Sequence, residues 1–105
     1  MHARVTTMTL DPDRIDEVIE QVEKDDVPKW KDIDGWKGFT LLVDRQSGKC
    51  IATSYWTSRE RMESAESEVQ GSRDRAAEAG GAAESPQVEL FELAIDAEAE
   101  PYGDG

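Results

Sequence analysis

The chain has 105 residues, and its 24 acids against 12 bases give a formal net charge of -12. That length is room for one domain with a single core, burying about 60 to 70% of the unfolded surface. The acid excess argues against nucleic acid, whose binding rests on Lys and Arg neutralising phosphates. No run reaches the roughly 18 to 20 apolar residues of a membrane span, and Met1-His2-Ala3-Arg4 leads into a strand pattern rather than an apolar leader core, so the expected location is cytoplasmic. Cys50 is the only cysteine, which excludes an intrachain disulfide and a multi-thiolate zinc site. His2 is the only histidine, and no asparagine occurs.

Residues 3 to 9 are rich in β-branched types and read as a first strand. Asp11 then fits a helix N-cap and Pro12 the first helical position, with Asp13 near the positive end of the dipole. Ile15, Val18, Ile19 and Val22 follow at helical spacing. Their narrow stripe predicts a helix that covers the core on one side, while Asp16, Glu17, Glu20, Glu23 and Asp25 form its solvated face and not a metal site. Pro28 breaks or restarts the helix, and Val27, Trp30 and Ile33 form a second short apolar stripe.

Asp34-Gly35 marks a turn into Gly38 to Val43, the most apolar run, which predicts a second strand buried on both faces. A polar loop over residues 44 to 49 joins it to a third strand over residues 50 to 56 as a hairpin. Thr57-Ser58-Arg59-Glu60 has the Thr-x-x-Glu form of a capping box and opens a second helix. Met62, Ala65, Val69 and Ala76 lie near one face of that helix, Gly71 weakens its middle and Gly80-Gly81 closes it. Val88 to Ile95 is the last strand, with an apolar phase shift at Leu90-Phe91 that predicts a bulge or burial on both faces. Residues 1 to 95 thus form the one domain, and the acidic stretch 96 to 105 is expected to be a loosely held tail.

Strand, helix, strand, strand, helix, strand is the order of a ferredoxin-like α+β sandwich, one antiparallel sheet with two helices on one face. Neither sheet face is patterned for water, so the uncovered face is expected to pack on a second copy as a homodimer, with Tyr55 serving that interface.

Leu10-Asp11-Pro12, Val27-Pro28, the run from Asp34 to Phe39 and the run from Ser54 to Glu60, in that order and spacing, resemble the antibiotic biosynthesis monooxygenase family of dimeric α/β-barrel proteins. The resemblance covers residues 2 to about 95. It implies a homodimer whose sheets pack into a barrel, with a cavity between sheet and helices. It also implies cofactor-free oxygenation of aromatic or quinol-type molecules, or haem degradation. The family's Asn is missing everywhere, and its haem-binding His and partner Trp would fall near Arg75 and Ala65, with Thr6 in place of the Asn. Haem degradation is therefore not expected, and no cofactor is. For oxygenation, Thr6 or Ser54 would replace the missing amide.

The candidate catalytic residues are Trp56, Thr6, Arg4 and His2, and the expected cavity lining is Met8, Ser54, Trp56, Met62, Ala65 and Val69. Each has a plainer role beside it. Trp56 fits a core anchor at the strand-helix corner, His2 a frayed terminus, and Arg4 a partner for Glu89 or Glu92 on the neighbouring strand. Cys50, beside Lys49, fits packing, because no His or second Cys supports catalysis. Two functions remain: a small oxygenase of an electron-rich aromatic or quinol, and a non-catalytic dimer that binds a small apolar or aromatic molecule.

Overall fold

The computed structural model describes residues 1 to 97. Strand β1 (His2–Thr9) leads through a 3-10 turn (Pro12–Arg14) into helix α1 (Ile15–Gln21), a π-helical segment (Val22–Asp26) and helix α2 (Val27–Trp30). Strands β2 (Trp36–Val43) and β3 (Lys49–Trp56) form the hairpin, helices α3 (Arg59–Ser64) and α4 (Glu66–Ala79) follow, and β4 (Gln87–Glu92) closes the order. The sheet is antiparallel with strand order β2-β3-β1-β4. This is the ferredoxin-like α+β arrangement that the element order predicts.

Local chemistry explains most element ends. Asp11 caps the first turn by accepting from the Asp13 backbone N–H, with Pro12 in the first position. Pro28 has no N–H to donate, and the chain accommodates it without a break. The π-helical segment lies just ahead of it, and the Val27 N–H reaches back to the Val22 carbonyl. The second helical arm is capped by Ser58, not Thr57: Ser58 Oγ accepts from the Arg61 N–H, so the cap is displaced by one residue and, with Arg61 in place of a carboxylate, no reciprocal box forms. That arm is also divided, with Ala65 separating α3 from α4.

Register assigns the sheet faces. Arg4, Thr6 and Met8 pair with Ser54, Ala52 and Cys50, which pair in turn with Phe39, Leu41 and Val43, and this set faces the helices. Met8, Leu10, Ile15, Val18, Val22, Trp30, Cys50 and Ala76 form one buried cluster there, and Trp56, Met62 and Ala65 form a second. Ala3, Val5 and Thr7, with Tyr55, Thr53 and Ile51, and then Gly38, Thr40 and Leu42, lie on the open face. Tyr55 is therefore opposite Trp56, as alternation requires.

Two burial expectations are corrected. Strand β2 alternates instead of being buried on both faces, and Leu42 is 63% exposed. Strand β4 pairs with β1 in unbroken register, so it has no bulge, and every one of its residues is exposed. It is an edge strand, and its apolar side chains lack the helical cover that their β1 neighbours enjoy. Asp96 and Ala97 are irregular and exposed, while residues 98 to 105 of the expected tail lie outside the described residues. No described helix is long and apolar enough to cross a membrane.

Candidate active site between sheet and helices

A cavity of about 60 Å³ lies between the sheet and the helical arms. Aromatic rings make much of its wall: Trp30 and Phe39 pack at 4.7 Å between centroids with planes tilted by 51°, and Trp36 and Trp56 complete the set. The volume holds a few waters and is well below the ~150 Å³ that accepts a benzene ring. A ring can therefore enter only if the walls give way.

Of the candidate residues, Arg4, Thr6, Met8, Ser54, Trp56 and Val69 line this cavity. Met62 and Ala65 do not; both are buried in one cluster with Trp56. His2 is not in the lining either. It is a half-buried member of β1, opposite Trp56 and Glu92, and not a frayed end. Trp56 is fully buried and donates from Nε1 to Ser54 Oγ at 2.9 Å, which fixes its indole in the wall.

Arg4 is 2% exposed, and its partner is neither Glu89 nor Glu92. Leu90 is its cross-strand neighbour, and Glu89 pairs with Val5 on the other face. Arg4 instead turns under the helices, where Nη2 donates to the Met62 carbonyl at 2.5 Å and meets Glu66 Oε2 at 2.9 Å, with the guanidinium 5.7 Å from the Trp56 ring centre. Glu66 Oε1 in turn accepts from both Nη1 and Nη2 of Arg73, so one carboxylate bridges two lining arginines. Burial pushes the Arg4 pKa down and Glu66 pulls it back up, while Arg73 adds to the downward push. The guanidinium stays charged.

Asp26 is the residue that sequence reasoning passed over. It is fully buried at the end of the π-helical segment and lines the cavity. Its Oδ1 accepts from Ser72 Oγ at 3.0 Å and Arg75 Nη2 at 2.7 Å. The signal was present: Val22, Asp26 and Trp30 are four apart, so Asp26 occupies an apolar row while Asp25 beside it faces outward. Arg75, which the resemblance places near the haem-binding His, is held by Asp26 instead. Cys50 lines the cavity with its thiol pKa raised by burial, in keeping with packing. Among the described residues, no group of three or more His, Cys, Asp or Glu is placed to hold a metal.

No protein-family model matches the chain. A monooxygenase from the gene ActVA-Orf6 of Streptomyces coelicolor, in complex with the ligand Nanaomycin D, superposes with a TM-score of 0.76 at 13% identity, over 93% of this chain and 91% of that one. This chain has the antibiotic biosynthesis monooxygenase fold. The heme-degrader MhuD of Mycobacterium tuberculosis, solved with two hemes bound in its active site, shares the fold with a TM-score of 0.66 at 15% identity, over 93% of this chain and all of that one. In sequence, the chain is 43% identical over 94 residues to the uncharacterized protein Rv2557 of Mycobacterium tuberculosis. That match covers 90% of this chain and 41% of the relative, so the chain spans about two fifths of the relative's length.

Proposed function

We propose that this protein oxygenates a small phenol- or quinol-type aromatic without a cofactor, in the cavity between its sheet and helices. The observation that carries the reading is the cavity wall itself: four aromatic side chains with charged groups of both signs set among them. A phenol with an unsubstituted ring position and O2 give a quinone and one water. One oxygen atom replaces the ring hydrogen, and the other leaves with that hydrogen and the hydroxyl's. The electrons come from the ring, so the protein's work is to orient the ring, exclude water and favour its anionic form. Arg4, Thr6, Ser54 and Trp56 are the residues assigned to that site, on a domain of residues 1 to 95. The chain is assigned a homodimeric assembly through the open sheet face, where Tyr55 and Leu42 stand.

A non-catalytic binding role is the second reading, favoured by the absence of asparagine and by the small cavity volume. The two separate under 18O2. Purified protein is incubated with a panel of monocyclic phenols and hydroquinones, with a chelator present and no flavin. The expected result is one labelled oxygen atom per product molecule, above a heat-denatured control. Saturable binding without labelled product supports the second reading and ends the first.

A further inference from the structure

Six buried side-chain nitrogen or oxygen atoms lack a hydrogen-bond partner among the described residues: His2 Nδ1, Arg4 Nε and Nη1, Asp26 Oδ2, Trp36 Nε1 and Arg73 Nε. All but the His2 atom belong to residues that line the cavity between sheet and helices. Orphaned buried polar atoms are rare, and gathering them around one space marks the place where an occupant supplies the missing bonds. The set is also lopsided. Four of the five are donors, from Arg4, Trp36 and Arg73, and Asp26 Oδ2 is the one acceptor.

We propose that Asp26 is the proton acceptor for a ligand hydroxyl in this cavity, and that Arg4 faces the oxyanion the transfer leaves. This inference rests on the cavity being a ligand site, and it names the ligand class: an aromatic that carries one acidic hydroxyl and further oxygen acceptors. Asp26 is held for the task. Ser72 and Arg75 both bind Oδ1, which fixes the carboxylate plane and leaves Oδ2 over. The transfer breaks the ligand's O–H bond, puts the proton on Oδ2 and leaves the electron pair on the ligand oxygen as a phenolate. The surrounding charge favours that product: Glu66 is one anion shared by the two lining arginines, Arg4 and Arg73, while Arg75, half exposed, turns to solvent when Asp26 takes the proton. Moving a proton from ligand to Asp26 places the new negative charge where a cation is left over.

The probe is 4-nitrophenol, whose ionisation is visible in its absorbance, set against its methyl ether 4-nitroanisole, which has no proton to give. On the wild-type protein, calorimetry is expected to show the phenol binding about ten- to a hundredfold more tightly than the ether, as one charge-assisted hydrogen bond provides. The bound phenol is expected to show more phenolate absorbance than the free compound at the same pH. In Asp26→Asn the preference for the hydroxyl disappears and the absorbance shift with it, while the ether binds as before. Equal binding of phenol and ether to the wild type overturns the proposal, as does an unchanged preference in Asp26→Asn. The wild-type comparison stands alone should the variant fail to fold. If neither compound binds, the cavity holds only water, and the ligand-site reading falls together with this one.

Discussion

At the scale of single residues, Arg4 shows why a functional reading is needed at all. A guanidinium in the interior with two donors unmet carries a desolvation cost that its one contact with a half-exposed carboxylate offsets in part. Replacing a buried ion with an apolar side chain of similar length is commonly neutral or stabilising by 1 to 4 kcal/mol. Glu66 keeps Arg73 as a partner when Arg4 is gone. Arg4→Met is therefore expected to leave the protein as stable as before or up to about 2 kcal/mol more stable, by chemical denaturation. Binding of the nitrophenolate falls in the same variant. A loss of stability above about 2 kcal/mol would mean that Arg4 is structural and its free donors are already met. Arg4, Thr6 and Trp56 were legible in the sequence because alternation along β1 and β3 fixes their common face. The partners of Arg4 were not, since Glu66 lies 62 positions away on a helix whose rotation depends on the break at Ala65. Asp26 was hidden for a simpler reason: beside Asp25 it looks like one more surface acid, and only its place in the Val22–Trp30 row says otherwise.

At the scale of elements, ends and turns carry the tests. The Thr57-Ser58-Arg59-Glu60 run contains two possible caps, and the structure chooses Ser58. Ser58→Ala is expected to cost about 1 kcal/mol, while Thr57→Ala costs a few tenths, measured by chemical denaturation. Equal costs would put the cap back at Thr57. In the hairpin, Asp44 accepts from the Gln46 and Ser47 backbone N–H groups, and these bonds hold its carboxyl below the ordinary value of 3.8. A depressed carboxyl stabilises the fold above its unfolded pKa and ceases to do so as the pH falls through the folded one. The difference in melting temperature between wild type and Asp44→Ala should hold steady above about pH 5 and close as the pH drops below that range. A difference that grows on acidification would reverse the sign and refute the assignment. The hairpin was readable because turn chemistry is local. Pro28 was readable as a disturbance, but its outcome, a π-helical segment that ends just ahead of the proline and places Asp26 inward, depends on packing against the sheet.

At the scale of the whole molecule, the open sheet face and strand β4 set the remaining question. The sequence pattern predicts burial there, and a single chain leaves Leu42 and Phe91 exposed on the open face, with Leu90 exposed on the helix side of β4. Gln87, Glu89 and Phe91 share the open face with Thr7, Val5 and Ala3; Phe91 lies in one cross-strand row with Ala3 and Tyr55, and Leu42 in another with Ile51 and Thr7. Pairing two such faces buries these side chains, and it brings together two chains that each carry a net charge of -12. Apolar burial favours the pair and long-range repulsion opposes it, so the balance has a signature in salt. Raising ionic strength from about 0.01 M to 1 M shortens the screening length from about 30 Å to 3 Å and removes most of the repulsion. Sedimentation equilibrium is expected to show a dimer that tightens with salt. Phe91→Asp, which sets an unpaired charge into the apolar face, is expected to give a monomer at every salt concentration while the hairpin and helices stay folded. A wild-type dimer that loosens as salt rises would mean that ion pairs hold it, and the open face would then not be its seat.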